Sequence, residues 1–339
     1  MSKVKEANNV SVGQKIGEFS KKNAIVLVLI ILCVGFAIGN PNFLQAKNLV
    51  NLTTQMAINA VLTIGLTYVI ILGGIDISVG SVAAMAGVAS ALVCRELPAE
   101  TPLAVMILVQ VIIGLVVGMV FGAFNGFMIT KFNVVPMIAT LASQTAARGL
   151  AYIFSGGTSV SGLTSVYSWL GSARLLKTES SPNGWIPVIT IVDIIVVILM
   201  HIMLSKTVFG RHVFATGSNK NVAHLSGINT DKITFLCYAI CGAMAGLAGI
   251  LNSSKLQNGQ PGACESYEMY AIASTVMGGT SLLGGSGSVA RAMFGCATVA
   301  VINNGMNLLH INSYWQKVVL GVIILLAVVM YMAQKKKKD

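Results

Sequence analysis

Charge is scarce in this chain: of 339 residues only 10% are charged, 22 of them basic and 11 acidic, while 55% are hydrophobic. With a mean hydropathy of +0.79, that much apolar surface has no place in a single water-soluble core, which excludes an ordinary globular protein and leaves an integral membrane protein. The apolar runs are far longer than barrel strands, and hydrocarbon offers backbone polar groups no water, so the spanning elements are expected to be helices. There is no GxxxxGK[ST] phosphate loop and no water-soluble stretch large enough to bind a nucleotide. The six cysteines lack metal or redox spacing. Cys33, Cys237, Cys241 and Cys296 fall in apolar runs as small hydrophobes, and Cys94 and Cys264 fall near one outer face, where a disulfide is the alternative to two free thiols.

What is present is an all-α pattern. Hydropathy predicts about ten spans, at residues 24–39, 50–72, 78–94, 102–124, 134–154, 186–204, 232–251, 268–283, 289–309 and 315–333. The 35 glycines suit close approach of membrane helices. A net charge of +11 would suggest nucleic acid in a soluble protein, so its placement decides its meaning. With both termini cytoplasmic, 15 Lys and Arg lie inside and 5 outside. That asymmetry is the positive-inside rule, so no nucleic-acid role is expected. Lys21 and Lys22 before the short first span resemble the start of a signal peptide, but its removal would put the polylysine tail on the wrong side. The expectation is an uncleaved anchor, with residues 1–23 a cytoplasmic tail, 24–333 the membrane domain and 334–339 a basic cytoplasmic tail.

Four segments depart from plain hydropathy. Residues 73–81 read GGIDISVGS; residues 155–185 form an expected external loop rich in Ser, Gly and Thr; residues 205–231 are polar and basic; residues 278–288 read GGTSLLGGSGS. The first and last share Gly-Gly at their starts and Gly-Ser in their eighth and ninth positions, which fits either a worn duplication or chance in a glycine-rich chain. In the basic stretch Ser218 or Asn219 offers an N-cap, residues 219–225 suffice for two helical turns, and Gly227 offers a C-cap. Phe209, Val213, Phe214 and Leu225 make it an expected docking surface on the cytoplasmic side, a solvated linker being the alternative.

Polar residues inside spans come next. Asp76 follows two glycines, where the backbone is expected to unwind; its carboxylate would bind freed amides or line a polar route. Asp193 costs about 2.5–3.5 kcal/mol to insert, which eleven Ile, Val and Leu residues at 186–199 offset at roughly 0.3–0.6 each. Arg148 or His201 is its expected partner, unless it is protonated. Asn125, Gln144, Thr145, Asn303, Asn304, Asn307 and Gln316 are uncharged groups that donate and accept together. Singly they read as interhelical hydrogen bonds; as a set they argue for a route for a neutral, hydroxyl-bearing solute.

GGIDISVGS resembles the signature of the permease subunits of sugar-importing ABC transporters of the ribose, xylose and galactose class. The resemblance continues through NGFMITKFNVVPMIATL at 125–141, Arg148-Gly149, Gly156-Gly157, Phe209-Gly210-Arg211, Asn219, Leu225-Ser226-Gly227-Ile228, Tyr267-Glu268 and residues 303–309 (NNGMNLL), the last closest to ribose-type members. Tyr270 stands where an aspartate is usual, Arg291 where a glycine is usual, and Ser218 replaces a common glycine.

The resemblance implies a division of labour in a bacterial cytoplasmic membrane. An external binding protein would deliver a monosaccharide, two copies or two related permeases would form the path, and a cytoplasmic ATPase would use ATP and Mg, none of which this chain would bind as a cofactor. Phe209, Gly210, Arg211, Asn219, Lys220, Leu225, Ser226 and Gly227 would couple to that ATPase, with Arg211, Lys220 and Lys232 pairing with its acids. Asp76, Ser78, Asn125, Thr140, Arg148, Asn303, Asn304 and Asn307 are the candidates to line the path. The rival is an ion- or proton-coupled carrier working alone, which would need charges organised along the spans; a membrane scaffold is the third alternative.

Overall fold

The computed structural model describes residues 24–176 and 184–336. Its elements are almost all helical: α1 (Ala24–Gly39), α2 (Ala46–Ile71), α3 (Val79–Arg95), α4 (Leu103–Lys131), α5 (Pro136–Ser155), the short α6 (Trp169–Ser172), α7 (Val188–Lys206), α8 (Val208–Ser218), α9 (Lys220–Leu225), α10 (Thr230–Leu256), α11 (Tyr267–Met277), α12 (Val289–Leu308) and α13 (Ser313–Lys336). Four of these, α2, α4, α7 and α10, are long and apolar enough to cross a membrane by length and composition. Local rules set several ends. Pro136 opens α5, where its missing N–H is no loss, and Gly156 closes it at φ 65°. Asn229 caps α10 by accepting from Lys232 N at 2.9 Å.

The packing is built round α2 and α10, which are largely enclosed, while α4 and α7 leave Val116, Val120, Phe124, Ile194, Ile198 and Leu199 exposed. Exposed apolar faces of that extent suit lipid rather than water. Glycine at every fourth position of α4 makes the tightest seam. A Cβ on Gly118 would overlap the Gly242 carbonyl, one on Gly114 would sit 2.9 Å from Gly246 O, and one on Gly126 3.0 Å from Phe235 Cα. No side chain fits there, so the backbones of α4 and α10 touch. All six cysteines are free thiols, Cys94 and Cys264 included.

One expectation changes, and two segments carry more structure than the sequence indicates. Residues 268–283 do not form one span: α11 stops at Met277 after 11 residues, about 16 Å at 1.5 Å per residue and well short of a ~30 Å hydrocarbon layer. Hydropathy counts Leu282 and Leu283 as membrane-like, but Gly279 at φ +81° has already turned the chain out of the helix. The loop between α5 and α7, expected to be external, carries local structure in its described residues. It carries a 3-10 turn (Ser165–Ser168), α6 and a two-residue hairpin pairing β1 (Arg174–Leu175) with β2 (Ile186–Pro187). Fully buried Tyr167 holds it down, its hydroxyl 2.8 Å from Ser253 Oγ while Ser254 Oγ donates to its carbonyl at 2.7 Å. Finally, the polar stretch is two helices rather than one, because α8 precedes the capped α9.

Candidate functional site

The chain is non-helical over residues 74–78, as expected at Asp76, and this interruption lies beside the body of α10 rather than at its end. Gly74 sits against the Tyr238 hydroxyl, and Gly249, eleven residues on, against Ala83. A second irregular segment, residues 257–266, packs against α3, with Gly259 close to Val88 and Ala91. The two segments converge where Gly80, in the first turn of α3, admits the Glu268 carboxylate and the Cys264 carbonyl, 2.6 Å from where a Cβ would be.

Asp76 is buried, and its Oδ1 accepts from Ser78 N at 2.9 Å and Ser78 Oγ at 2.6 Å. Asn125 of α4 donates to Ser78 Oγ at 3.1 Å and accepts from Ser143 Oγ of α5 at 2.5 Å. Thr140 donates to its own helix at Pro136 O, 3.0 Å, and is 3.5 Å from the Ile75 carbonyl. Asp76, Ser78, Asn125 and Ser143 therefore form one buried polar chain, and Thr140 touches the break separately at the Ile75 carbonyl, so the break is secured to two helices. Asp76 Oδ2 and the Tyr238 hydroxyl have no partner among the described residues.

Arg148 does the opposite task on the second segment: its Nη1 donates to the carbonyls of Pro261 at 2.6 Å and Ala263 at 2.7 Å. It borders an open cleft of about 440 Å³ with Gln144, Thr145, Tyr152, Glu265 and Glu268. Glu268 is buried and is not among the site residues expected from sequence; its signal is the Tyr267-Glu268 pair that follows a Gly- and Pro-bearing run. The expected pairing of Arg148 with Asp193 is absent, since the guanidinium is committed to those carbonyls. His201 does not serve either: its Nδ1 and Asp193 Oδ1 both lack partners among the described residues.

The three asparagines of α12 separate. Asn303 and Asn307 line an open cleft of about 390 Å³ with Gln55, Asn59, Lys255 and Tyr270, and Gln316 donates to Asn307 Oδ1 at 2.7 Å. Asn304 faces the other way, into a reciprocal amide pair with Asn48 of α2, at 2.9 and 3.0 Å. It is a helix tie and not a lining residue.

The coupling residues also divide. α9 has the expected cap, Asn219 Oδ1 accepting from Val222 N at 3.1 Å, and Gly227 follows it at φ +83°. Leu225 projects with 85% of its surface exposed, and Val222 and Arg211 are exposed as well. Ser226 is exposed and donates to Val222 O at 2.9 Å. By contrast Phe209 is half-buried and stacks on Tyr68 with ring centroids 6.3 Å apart, Val213 is fully buried, and Gly210 lies against the Leu204 carbonyl with no room for a Cβ. These three root α8 in the bundle and offer no grip to a partner. Lys220 pairs with Asp231 of this chain at 2.9 Å instead of standing free for a partner's acid.

Membrane-length helices around two interruptions, with two open polar clefts, make this a polytopic membrane protein. The chain belongs to the family described as branched-chain amino acid transport system / permease component, whose model matches residues 48–328. It is therefore a transport component and not an enzyme. It is 40% identical over 321 residues to the ribose import permease protein RbsC of Bacillus subtilis, covering 94% of this chain and 92% of that one. It is 36% identical to the protein of the same name from Haemophilus influenzae, covering 95% and 97%, and 33% identical to the xylose transport system permease protein XylH of Escherichia coli, covering 87% of each. No solved structure matches.

Proposed function

We propose that this chain is the membrane-spanning permease of an ATP-driven importer, carrying ribose or a closely related sugar delivered by an external binding protein across a bacterial cytoplasmic membrane. Identity of 36–40% to ribose import permeases over nearly the whole chain supports the sugar. The basic residues support ten membrane-entering segments with both termini inside. The observation that carries the energy source is α9: a six-residue helix, capped at both ends, that presents Leu225 to solvent. An apolar side chain held rigidly in water fits a cleft in a second protein, here a cytoplasmic ATPase that uses ATP and Mg.

The path runs along the face that holds Asn303 and Asn307. Amides, tyrosines and Lys255 on an open face of a membrane bundle are costly against lipid, so this face meets a second permease copy or a related permease. Neutral amides there hold hydroxyls without binding them tightly. In vesicles containing the full complex, Leu225→Asp is expected to abolish ribose uptake while ATP hydrolysis and membrane insertion persist. Normal uptake by that variant rejects the coupling assignment, and wild-type uptake that ignores ATP depletion but fails with a protonophore means a secondary carrier.

A further inference from the structure

The two glycine-rich motifs, 205 residues apart in the chain, meet in space, and they meet against the end of α8. Gly285 N donates to the Ile71 carbonyl at 2.8 Å. A Cβ on Gly217 would overlap that same carbonyl oxygen and stand 2.9 Å from Gly285 N. A Cβ on Gly284 would lie 2.5 Å from Gly217 O and 3.1 Å from Gly73 N, and one on Gly285 2.6 Å from Ser218 Oγ. Gly73, Gly284 and Gly285 sit at φ +80°, +86° and +76°, where a side chain is strained as well as crowded. Three segments are thus in backbone-to-backbone contact with no side chain between them to yield.

From this junction the chain runs two ways. Residues 74–78 lead from Gly73 straight to Asp76 and the start of α3. Residues 283–278 lead back to the end of α11, where Gly278 lies 2.5 Å, as a Cβ would measure it, from Ala292 Cα. A displacement of α8 finds no slack at the junction, and close-packed contacts of this kind transmit strain.

We propose that Gly217, the Ile71 carbonyl and Gly284-Gly285 form a rigid transmission joint, moving as one body with α8 and α9 and driving residues 74–78 and the end of α11 together. Gly217 is its positioning residue. The inference rests on reading α9 as the ATPase contact, and deepens it by naming where the stroke divides.

The test uses the reconstituted complex of permease, ATPase and binding protein, with ribose as solute. Gly217→Ala is expected to raise ATP hydrolysed per ribose imported about tenfold, within the range of ordinary coupling energies. A merely structural defect would lower hydrolysis and uptake together, and an unchanged ratio overturns the joint. Because the added methyl is severely crowded, a measurement on the unaltered complex carries the test independently. The Gly285 amide hydrogen, bonded to the Ile71 carbonyl at 2.8 Å, is expected to keep its protection from exchange within about twofold between the nucleotide-free and ATP-trapped complexes. Faster exchange than this in either state shows that the joint opens during the cycle and overturns the proposal. Normal uptake by Leu225→Asp would instead remove the ATPase contact and leave the joint untouched, so the two failures are distinguishable.

Discussion

Replacing Asn304 with leucine should damage stability and spare transport, the reverse of what its place beside Asn303 in the sequence suggests. The structure gives Asn304 two hydrogen bonds with Asn48, at 2.9 and 3.0 Å, and almost no exposed surface. Each interhelical polar contact in a membrane protein is worth about 0.6 kcal/mol, so the pair contributes about 1.2. Its loss also strands the Asn48 carboxamide, which keeps only its 2.8 Å bond to the Phe43 carbonyl. Half-buried, that group adds about 1 kcal/mol at the low end of the penalty for an unmet polar atom. The expected destabilisation is about 2 kcal/mol, read by thermal or denaturant unfolding in detergent. Changing Asn48 and Asn304 together to leucine should recover much of it, because no polar atom is then left alone. Uptake per folded molecule should stay near the parental rate for Asn304→Leu and fall for Asn303→Leu, whose stability should not change. Asn304→Leu with intact stability and lost uptake would refute the reasoning.

The α4–α10 seam and the Asp76 network yield two further expectations. Gly118→Ala places a methyl 2.9 Å from both Gly242 C and Gly246 N, whereas Gly321→Ala meets nothing within 4 Å; both gain the same helix propensity, so the difference between their melting free energies isolates overpacking at about 1–3 kcal/mol. Equal shifts in the two variants would mean that the seam is slack. Asn125→Leu removes the bridge between Ser78 and Ser143 and should cost about 2 kcal/mol or more, with greater proteolytic cutting at residues 74–78 as the specific sign; an unchanged cleavage pattern would dismiss the network's role in holding the break.

Local chemistry was legible in the sequence wherever it acts on adjacent backbone. Asn219 and Gly227 marked the ends of α9, and two glycines before Asp76 marked the break, because caps and left-handed turns depend on neighbours a few residues away. Orientation was not legible. Asn303, Asn304 and Asn307 are alike in sequence, yet helical rotation turns Asn304 toward α2 and the others toward a cleft. Phe209 and Val213 looked like exposed apolar residues in a polar stretch, and only the tertiary contact with Tyr68 and its surroundings buries them. The length of α11 escaped for a different reason: a hydropathy window averages over Gly278-Gly279 and cannot register that the backbone has left the helix.

The fate of the two charges singled out as path candidates says what kind of solute the bundle suits. An interrupted segment leaves N–H groups free at one end and carbonyls free at the other, and inside an apolar bundle both need partners. Asp76 accepts from the backbone N–H of Ser78 at the first break, and Arg148 donates to the carbonyls of Pro261 and Ala263 at the second. A carboxyl oxygen serves donors and a guanidinium serves acceptors, so each group is held by the polypeptide it repairs. Asn303 and Asn307 are left to face the cleft beside Asn59 and Tyr270. A solute passing there meets mainly neutral groups that donate and accept in equal measure, with Lys255 the one charge among the lining residues. A polyhydroxylated, uncharged molecule fits that balance better than an amino acid, whose carboxylate and ammonium would each require a dedicated counter-charge.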